Sequence, residues 1–169
     1  MIFLSGPAIN RFCTWLDQTS MSQYIQIHTW VIPSVQTVHI LAIASVMASA
    51  LLIDLRLLGI FGRDQSLQSV CKRFLPVIWV ALPILLVTGT ILIIGEPARA
   101  LKNPVFQLKI VLILAAIALT GYFQYRLTQN PDRYDPAKGV RAKALLIAIP
   151  SLALWIGIVL AGRWIAYVL

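Results

Sequence analysis

Four long apolar stretches constrain this chain more than any other feature. A helix needs about 20 residues to cross the hydrocarbon core of a bilayer. Stretches of that length run roughly from Val31 to Ile60, Phe74 to Gly95, Asn103 to Leu127 and Lys143 to Leu169. Composition agrees: 59% of the residues are hydrophobic and only 12% charged, with mean hydropathy +0.83. Soluble domains carry roughly 25% charged residues. The sequence therefore predicts an all-α fold, a polytopic membrane four-helix bundle over residues 31–169, preceded by a distinct segment over residues 1–30. Pro76, Pro83 and Pro150 fall inside or near the spans. They predict kinks rather than breaks, because neighbouring groups satisfy the carbonyls that they free.

Basic residues orient the bundle. The formal charge of +8 would fit a nucleic-acid binder if it formed one face. Instead the Lys and Arg residues cluster between apolar runs, as in cytoplasmic loops. Arg56, Arg63, Lys72 and Arg73 follow the first span, and Arg126, Arg133, Lys138, Arg141 and Lys143 follow the third. The intervening "EPARALKNP" carries only Arg99 and Lys102. The first and third loops are thus expected in the cytoplasm, with both termini and the Glu96–Pro104 loop facing the periplasm or exterior. Cys13 and Cys71 would then lie on opposite sides, which disfavours a disulfide between them, and they form no CxxC motif.

The beginning "MIFLSGPAINRF" has no basic n-region and too short an apolar run for a signal peptide. In residues 7–30, Ile9, Phe12, Cys13, Trp15 and Leu16 can share an apolar face opposite Asn10, Arg11, Asp17 and Gln18. This predicts an interfacial amphipathic helix that precedes a turn at Pro33. "NPDRYDP" between the third and fourth spans reads as a turn-rich loop.

Polar residues converge on one depth. An ionisable side chain inside a membrane costs several kcal/mol unless paired or solvated, so it is a functional candidate. At about 1.5 Å per residue, His39 sits roughly 10 Å below the outer end of its helix. Gln36 lies one turn above, and Lys109 stands at similar depth on the third span. Arg163 lies near the outer end of the fourth, and Thr88 and Thr90 near that of the second. Glu96 and Arg99 follow in the outer loop. The inner half of the bundle reads as nearly all Leu, Ile, Val and Ala. Asp54, two residues before Arg56, reads as a local charge pair or helix-end contact.

Such a layer suits a ligand with an apolar body and anionic arms, and haem b has that form. An imidazole can supply an axial bond to iron while Lys and Arg pair with propionates. The residues that could serve are His39, His28, Lys109, Arg163, Arg99 and Gln36, with His39 and His28 as the iron ligands. The chain has only these two histidines. On one straight helix they would stand about 16 Å apart, whereas two axial nitrogens must come within about 4 Å across one iron. A fold-back near Pro33, a five-coordinate iron or a ligand from another chain would each resolve this. Met47 lies two turns deeper than His39 and cannot face the same iron from the opposite side. The alternative is that His39 is a structural residue bonded to Gln36 or Thr90, that His28 sits at the interface beside Trp30, and that Lys109 and Arg163 snorkel to head groups. Small residues Ala42, Ser45, Ala48 and Ser49 let helices approach closely.

The stretches "WVIPSVQTVHILAIASVMASALLIDLRLLG", "RFLPVIW", "TGTILIIGEPARALKNPVFQLKIVLILAA" and "GRWIAYVL" resemble a bacterial family of small four-helix inner-membrane proteins, known only as a domain of unknown function. The likeness is most specific in "HILAIA…DLRLLG" and "NPVFQLK". Members often carry Glu where this chain has Gln36, so no carboxylate carries over there. More distantly, the histidine near the start of a spanning helix is similar to that of the copper-resistance D-type membrane domain and of four-helix haem-dependent protoporphyrinogen oxidases. These likenesses imply haem or copper at His39, with Arg163 and then Lys109 as accompanying positions.

Three functions compete at this stage. The first is a b-type haem protein that passes electrons between a quinone and a partner at the outer face. The second is a non-catalytic accessory subunit packed in a larger membrane complex, or a homodimer. The third, a permease, lacks an obvious polar path. No nucleophile–base pair, phosphate loop or metal triad marks an enzyme.

Overall fold

The computed structural model describes residues 6–62, 64–129 and 141–164, with the backbone alone for Arg141 and Lys143. Arg63, the "NPDRYDP" loop with Arg133, and Lys138 lie outside the described residues. Among the described residues seven helices follow in chain order: α1 (Pro7–Asp17), α2 (Ser20–Ile27), α3 (Val31–Leu57), α4 (Leu67–Gly95), α5 (Pro97–Leu101), α6 (Pro104–Gln129) and α7 (Arg141–Trp164). Of these α3, α4, α6 and α7 are long and apolar enough to cross a membrane. The chain is an all-α, multi-pass membrane bundle.

α3 is the centre of the assembly. It packs along α4 on one side and against α7 on another, while α6 pairs with α7. The core follows helical spacing: Val46, Ala50, Ile53 and Leu57 on α3 meet Val70, Leu75 and Ile78 on α4. The outside is as apolar as the core. The most hydropathic window of α6 averages 2.0, yet only 11% of it is buried, and for α4 the figures are 2.7 and 17%. So much uncovered hydrocarbon surface needs lipid as its solvent. α4 runs through Pro76 and Pro83, and α7 through Pro150, without a break. α4 also begins well before the apolar run from which its span was estimated. Ser66 caps it by accepting from the Ser69 amide at 3.2 Å, and its first turns bury Leu67, Val70 and Cys71.

The two motifs that carry the family resemblance are structural at their ends. "DLRLLG" closes α3 in a Schellman motif. The Gly59 amide bonds to the Arg56 carbonyl at 3.0 Å and the Ile60 amide to the Leu55 carbonyl at 3.0 Å. Gly59 has φ 71°, which only glycine adopts at little cost. "NPVFQLK" opens α6. The Asn103 carboxamide oxygen accepts from the amides of Val105 at 2.9 Å and Phe106 at 3.3 Å, and Pro104 takes the first helical position. Gln107 then donates to the Leu101 carbonyl at 3.0 Å and ties α6 to α5.

The N-terminal segment differs from the single interfacial helix expected. It breaks into α1 and α2 at Gln18–Thr19, where Thr19 accepts from the Ser22 amide at 3.3 Å and caps α2. It also docks onto the bundle. Ser22 donates to the Ile94 carbonyl at 2.7 Å and Gln26 to the Gly95 carbonyl at 3.1 Å, which satisfies carbonyls that the end of α4 leaves open. Cys13 is buried with its Sγ 3.8 Å from the Pro97 carbonyl. The chain enters α3 at Val31, so the turn falls at His28–Trp30 and Pro33 sits in the first turn of α3. Phe12, Trp15, Met21, Tyr24, Ile27 and Trp30 stay exposed, an apolar and aromatic fringe fit for a membrane interface. We call the end under α1, α2 and α5 the capped end.

A Cβ on Gly95 would lie 2.6 Å from Ile32 Cδ1 and 3.0 Å from Ile25 Cγ2, whereas one on Gly121 meets nothing within 4 Å. Gly95→Ala is therefore expected to destabilise the detergent-solubilised protein by about 1–3 kcal/mol. Gly121→Ala should be neutral or slightly stabilising. Thermal unfolding of the two variants side by side checks this.

Candidate functional site

His39 stands on α3 two turns from the capped end, half-buried and facing α4. Its Nδ1 lies 2.7 Å from Thr88 Oγ1. The same hydroxyl lies 2.6 Å from the Ile84 carbonyl of its own helix. A hydroxyl has one proton, and a carbonyl can only accept. Thr88 therefore donates to Ile84 and accepts from His39, which places the imidazole proton on Nδ1 and leaves a lone pair on Nε2. A side-chain acceptor that fixes one ring nitrogen and frees the other is how proteins prepare a histidine for a metal. The expected structural partners were Gln36 or Thr90. Gln36 is instead exposed, and Thr90 donates to the Leu86 carbonyl at 2.8 Å. Two residues along a helix turn the side chain by about 200°, so Thr88 and Thr90 cannot both face α3.

Lys109 of α6 lies within reach of the His39 ring's electrostatic field. Its ammonium rests against α7, where a Cβ on Gly162 would come within 3.4 Å of Nζ. Gly89 gives similar clearance on α4, with His39 Cε1 3.5 Å from where its Cβ would stand. The four spanning helices thus meet at one level through His39, Thr88 with Gly89, Lys109 and Gly162. Arg163 follows Gly162 directly and is exposed.

The remaining candidates stand on the rim. His28 caps α2, with Nδ1 2.9 Å from the Tyr24 carbonyl and its ring 4.1 Å from that of Tyr24. Its proton is held by its own helix, and the turn at His28–Trp30 does not fold it over His39. Arg99 on α5 pairs with Glu96 at 3.0 Å, half-exposed on both sides. Among the described residues neither Arg99, His28 nor Gln36 bonds to His39. Of the small residues on α3, Ala42 and Ser49 are buried, while Ser45 is exposed and bonds back to the Leu41 carbonyl at 2.9 Å.

With this geometry in place, the family can be stated. The chain belongs to DUF6644, a family of unknown function, whose profile matches residues 12–168. No curated protein and no solved structure matches it. The matched range takes in the second half of α1 and all of α2 as well as the bundle.

This DUF6644 chain also holds a polar cluster that its hydropathy conceals. The far end of the bundle is not purely aliphatic. Asp54 is 3% exposed and Arg56 2%. They do not form the expected local pair. Arg56 turns away and donates from Nε at 3.0 Å and Nη2 at 2.8 Å to the Gln65 carbonyl, closing the α3–α4 connection. Asp54 instead faces α7, where the Ser151 hydroxyl is its hydrogen-bond partner. Cys71 of α4, 1% exposed, lies within the field of both charges. Residues two apart in a helix point to different sides, which is why reading Asp54 and Arg56 as a pair failed. The polar spacing in "DLR" was the available signal.

Replacing Thr88 by Val removes the acceptor for a partly buried imidazole donor. We expect a loss of about 1–3 kcal/mol, retention of near wild-type stability in Thr88→Ser, and no change in Thr90→Val. Thermal unfolding in detergent reads all three.

Proposed function

We propose that this protein is a b-type haem-binding protein of the bacterial inner membrane that transfers electrons near the outer face. The single observation that carries the reading is the His39–Thr88 bond. It fixes the ring on Nδ1 and leaves Nε2 available as an axial donor in a low-dielectric layer. Lys109 and, beside Gly162, Arg163 are the cations for two propionates. Gly89 and Gly162 let the His39 ring and the Lys109 ammonium pack against the backbone of α4 and α7 at that level. When bound, haem supplies a one-electron couple, and the protein tunes it through the His39–Thr88 bond and local burial. His28, Arg99 and Gln36 are assigned no ligand role in this reading, so this chain offers one histidine to the iron. Any further ligand would have to come from another chain.

Orientation supports the same picture. By the positive-inside rule the basic loops favour the periplasmic side for the capped end. A quinone in the outer leaflet and a partner at the capped end would then be the electron donor and acceptor. The distant likenesses to copper-resistance D-type and haem-dependent protoporphyrinogen oxidase domains agree with a metal or haem at His39. An accessory subunit of a larger membrane complex is the second reading. It is favoured by the exposure of α6, whose apolar window is buried over only 11% of its length.

The pyridine haemochrome of protein purified after growth with added haem precursor tests the proposal. Near-stoichiometric haem b is expected in the wild type and none in His39→Ala. Thr88→Val is expected to bind about tenfold or more weakly. A wild type without a Soret band under those conditions removes the haem reading and leaves the accessory subunit.

A further inference from the structure

The capped end holds a crevice of about 430 Å³ whose lining includes neither His39 nor Lys109. It does not depend on what His39 holds. Its two walls carry opposite charge. α1 and α2 contribute Asp17 and Gln26, and the corner between α4 and α5 contributes Glu96, with Arg99 and Lys102 beyond it. Arg99 and Glu96 are paired at 3.0 Å and largely cancel. A guanidinium has five N–H donors, so Arg99 keeps donors beyond that bond. Lys102 is exposed and makes no hydrogen bond or ion pair among the described residues. The α5 wall is therefore net positive.

Asp17 is the counter-charge, and it is held in place. The Gln26 amide donates to Asp17 Oδ1 at 2.8 Å and to the Gly95 carbonyl at 3.1 Å, which ties the acidic wall to the end of α4. Asp17 takes no other hydrogen bond among the described residues. A carboxylate has about four lone-pair sites, so it keeps capacity for an incoming donor.

Depth narrows the choice of ligand. The apolar run of α4, residues 74–95, spans about 33 Å, and a hydrocarbon core is about 30 Å thick. The charged residues from Glu96 onward therefore reach the head-group layer. Phe12 and Trp15, which flank the lining residues Cys13 and Thr14, are 49% and 61% exposed, and aromatic rings favour that layer. A ligand with one charge would meet a repelling wall as well as an attracting one. A zwitterion that carries an ammonium and a phosphate meets both walls favourably, and the volume lies in the range of small-molecule sites.

We propose that this crevice seats the head group of phosphatidylethanolamine, with its ammonium on Asp17 and its phosphate between Lys102 and Arg99. A primary ammonium donates hydrogen bonds to a carboxylate, which the quaternary ammonium of phosphatidylcholine cannot do. The bound lipid bridges the N-terminal helices and α5.

The test offers the full-length protein, in detergent, equal amounts of phosphatidylethanolamine, phosphatidylcholine and phosphatidylglycerol with the same acyl chains. Native mass spectrometry counts the lipid retained. One phosphatidylethanolamine per chain should be retained in preference to the other two. Asp17→Asn preserves an acceptor for Gln26, and should lower the affinity for phosphatidylethanolamine about tenfold, to that for phosphatidylcholine. Lys102→Gln should weaken both of these lipids alike, since each carries the phosphate. Equal retention of the three lipids by the wild type overturns the proposal. So does a preference for phosphatidylethanolamine that survives in Asp17→Asn. Soluble phosphoethanolamine tests the source of the zwitterion. It should displace the lipid only in large excess, and saturation at the lipid's own concentration would overturn the lipid assignment.

Discussion

A polar side chain that enters hydrocarbon must find its partner inside the protein, and this requirement organises the whole bundle. On the lipid side Thr37, Ser45, Thr90 and Thr128 meet it by bonding to their own helices. The groups that do not are the ones that join helices. His39 reaches Thr88 across the α3–α4 interface, and Asp54 reaches Ser151 across the α3–α7 interface. Both originate on α3, which packs against both α4 and α7, so one helix carries polar contacts at both ends of the bundle.

The capped end shows the same rule applied to backbone. Helix ends leave carbonyls open, and α4 ends at Gly95. Ser22 and Gln26 supply donors to Ile94 and Gly95. Gly95 lets Ile25 and Ile32 close over that point. The N-terminal segment is consequently a fitted lid on α4 and α5 rather than a helix adrift on the surface. Its aromatic fringe faces outward. The region above His39 is thereby shaped by residues 7–30, which ties the two parts of the chain into one unit.

Much of this was legible in the sequence. Length and hydropathy identified four spans, and the depth argument identified His39 and Lys109 as members of one layer. What hydropathy does not carry is azimuth. Thr88 and Thr90 are equivalent by depth, yet only one can face α3. Asp54 and Arg56 are neighbours in the sequence and point apart in space. The break at Gln18–Thr19 and the short helix α5 depend on individual caps and carbonyl acceptors, which a broad amphipathic pattern does not resolve. The motifs "DLRLLG" and "NPVFQLK" carried the family likeness. They are first of all a Schellman stop and an Asn-capped start, with Asp54 and Lys109 carried a few residues away.

The account rests on one proton, the one that His39 gives to Thr88. Nitrogen NMR of haem-free protein labelled in its two histidines measures it directly. The structure predicts that the ring resonance of His39, assigned by its loss in His39→Ala, shows protonated Nδ1 and unprotonated Nε2. A proton on Nε2 with Nδ1 bare would mean that Thr88 donates to the ring, and the nitrogen offered to a ligand would be the wrong one.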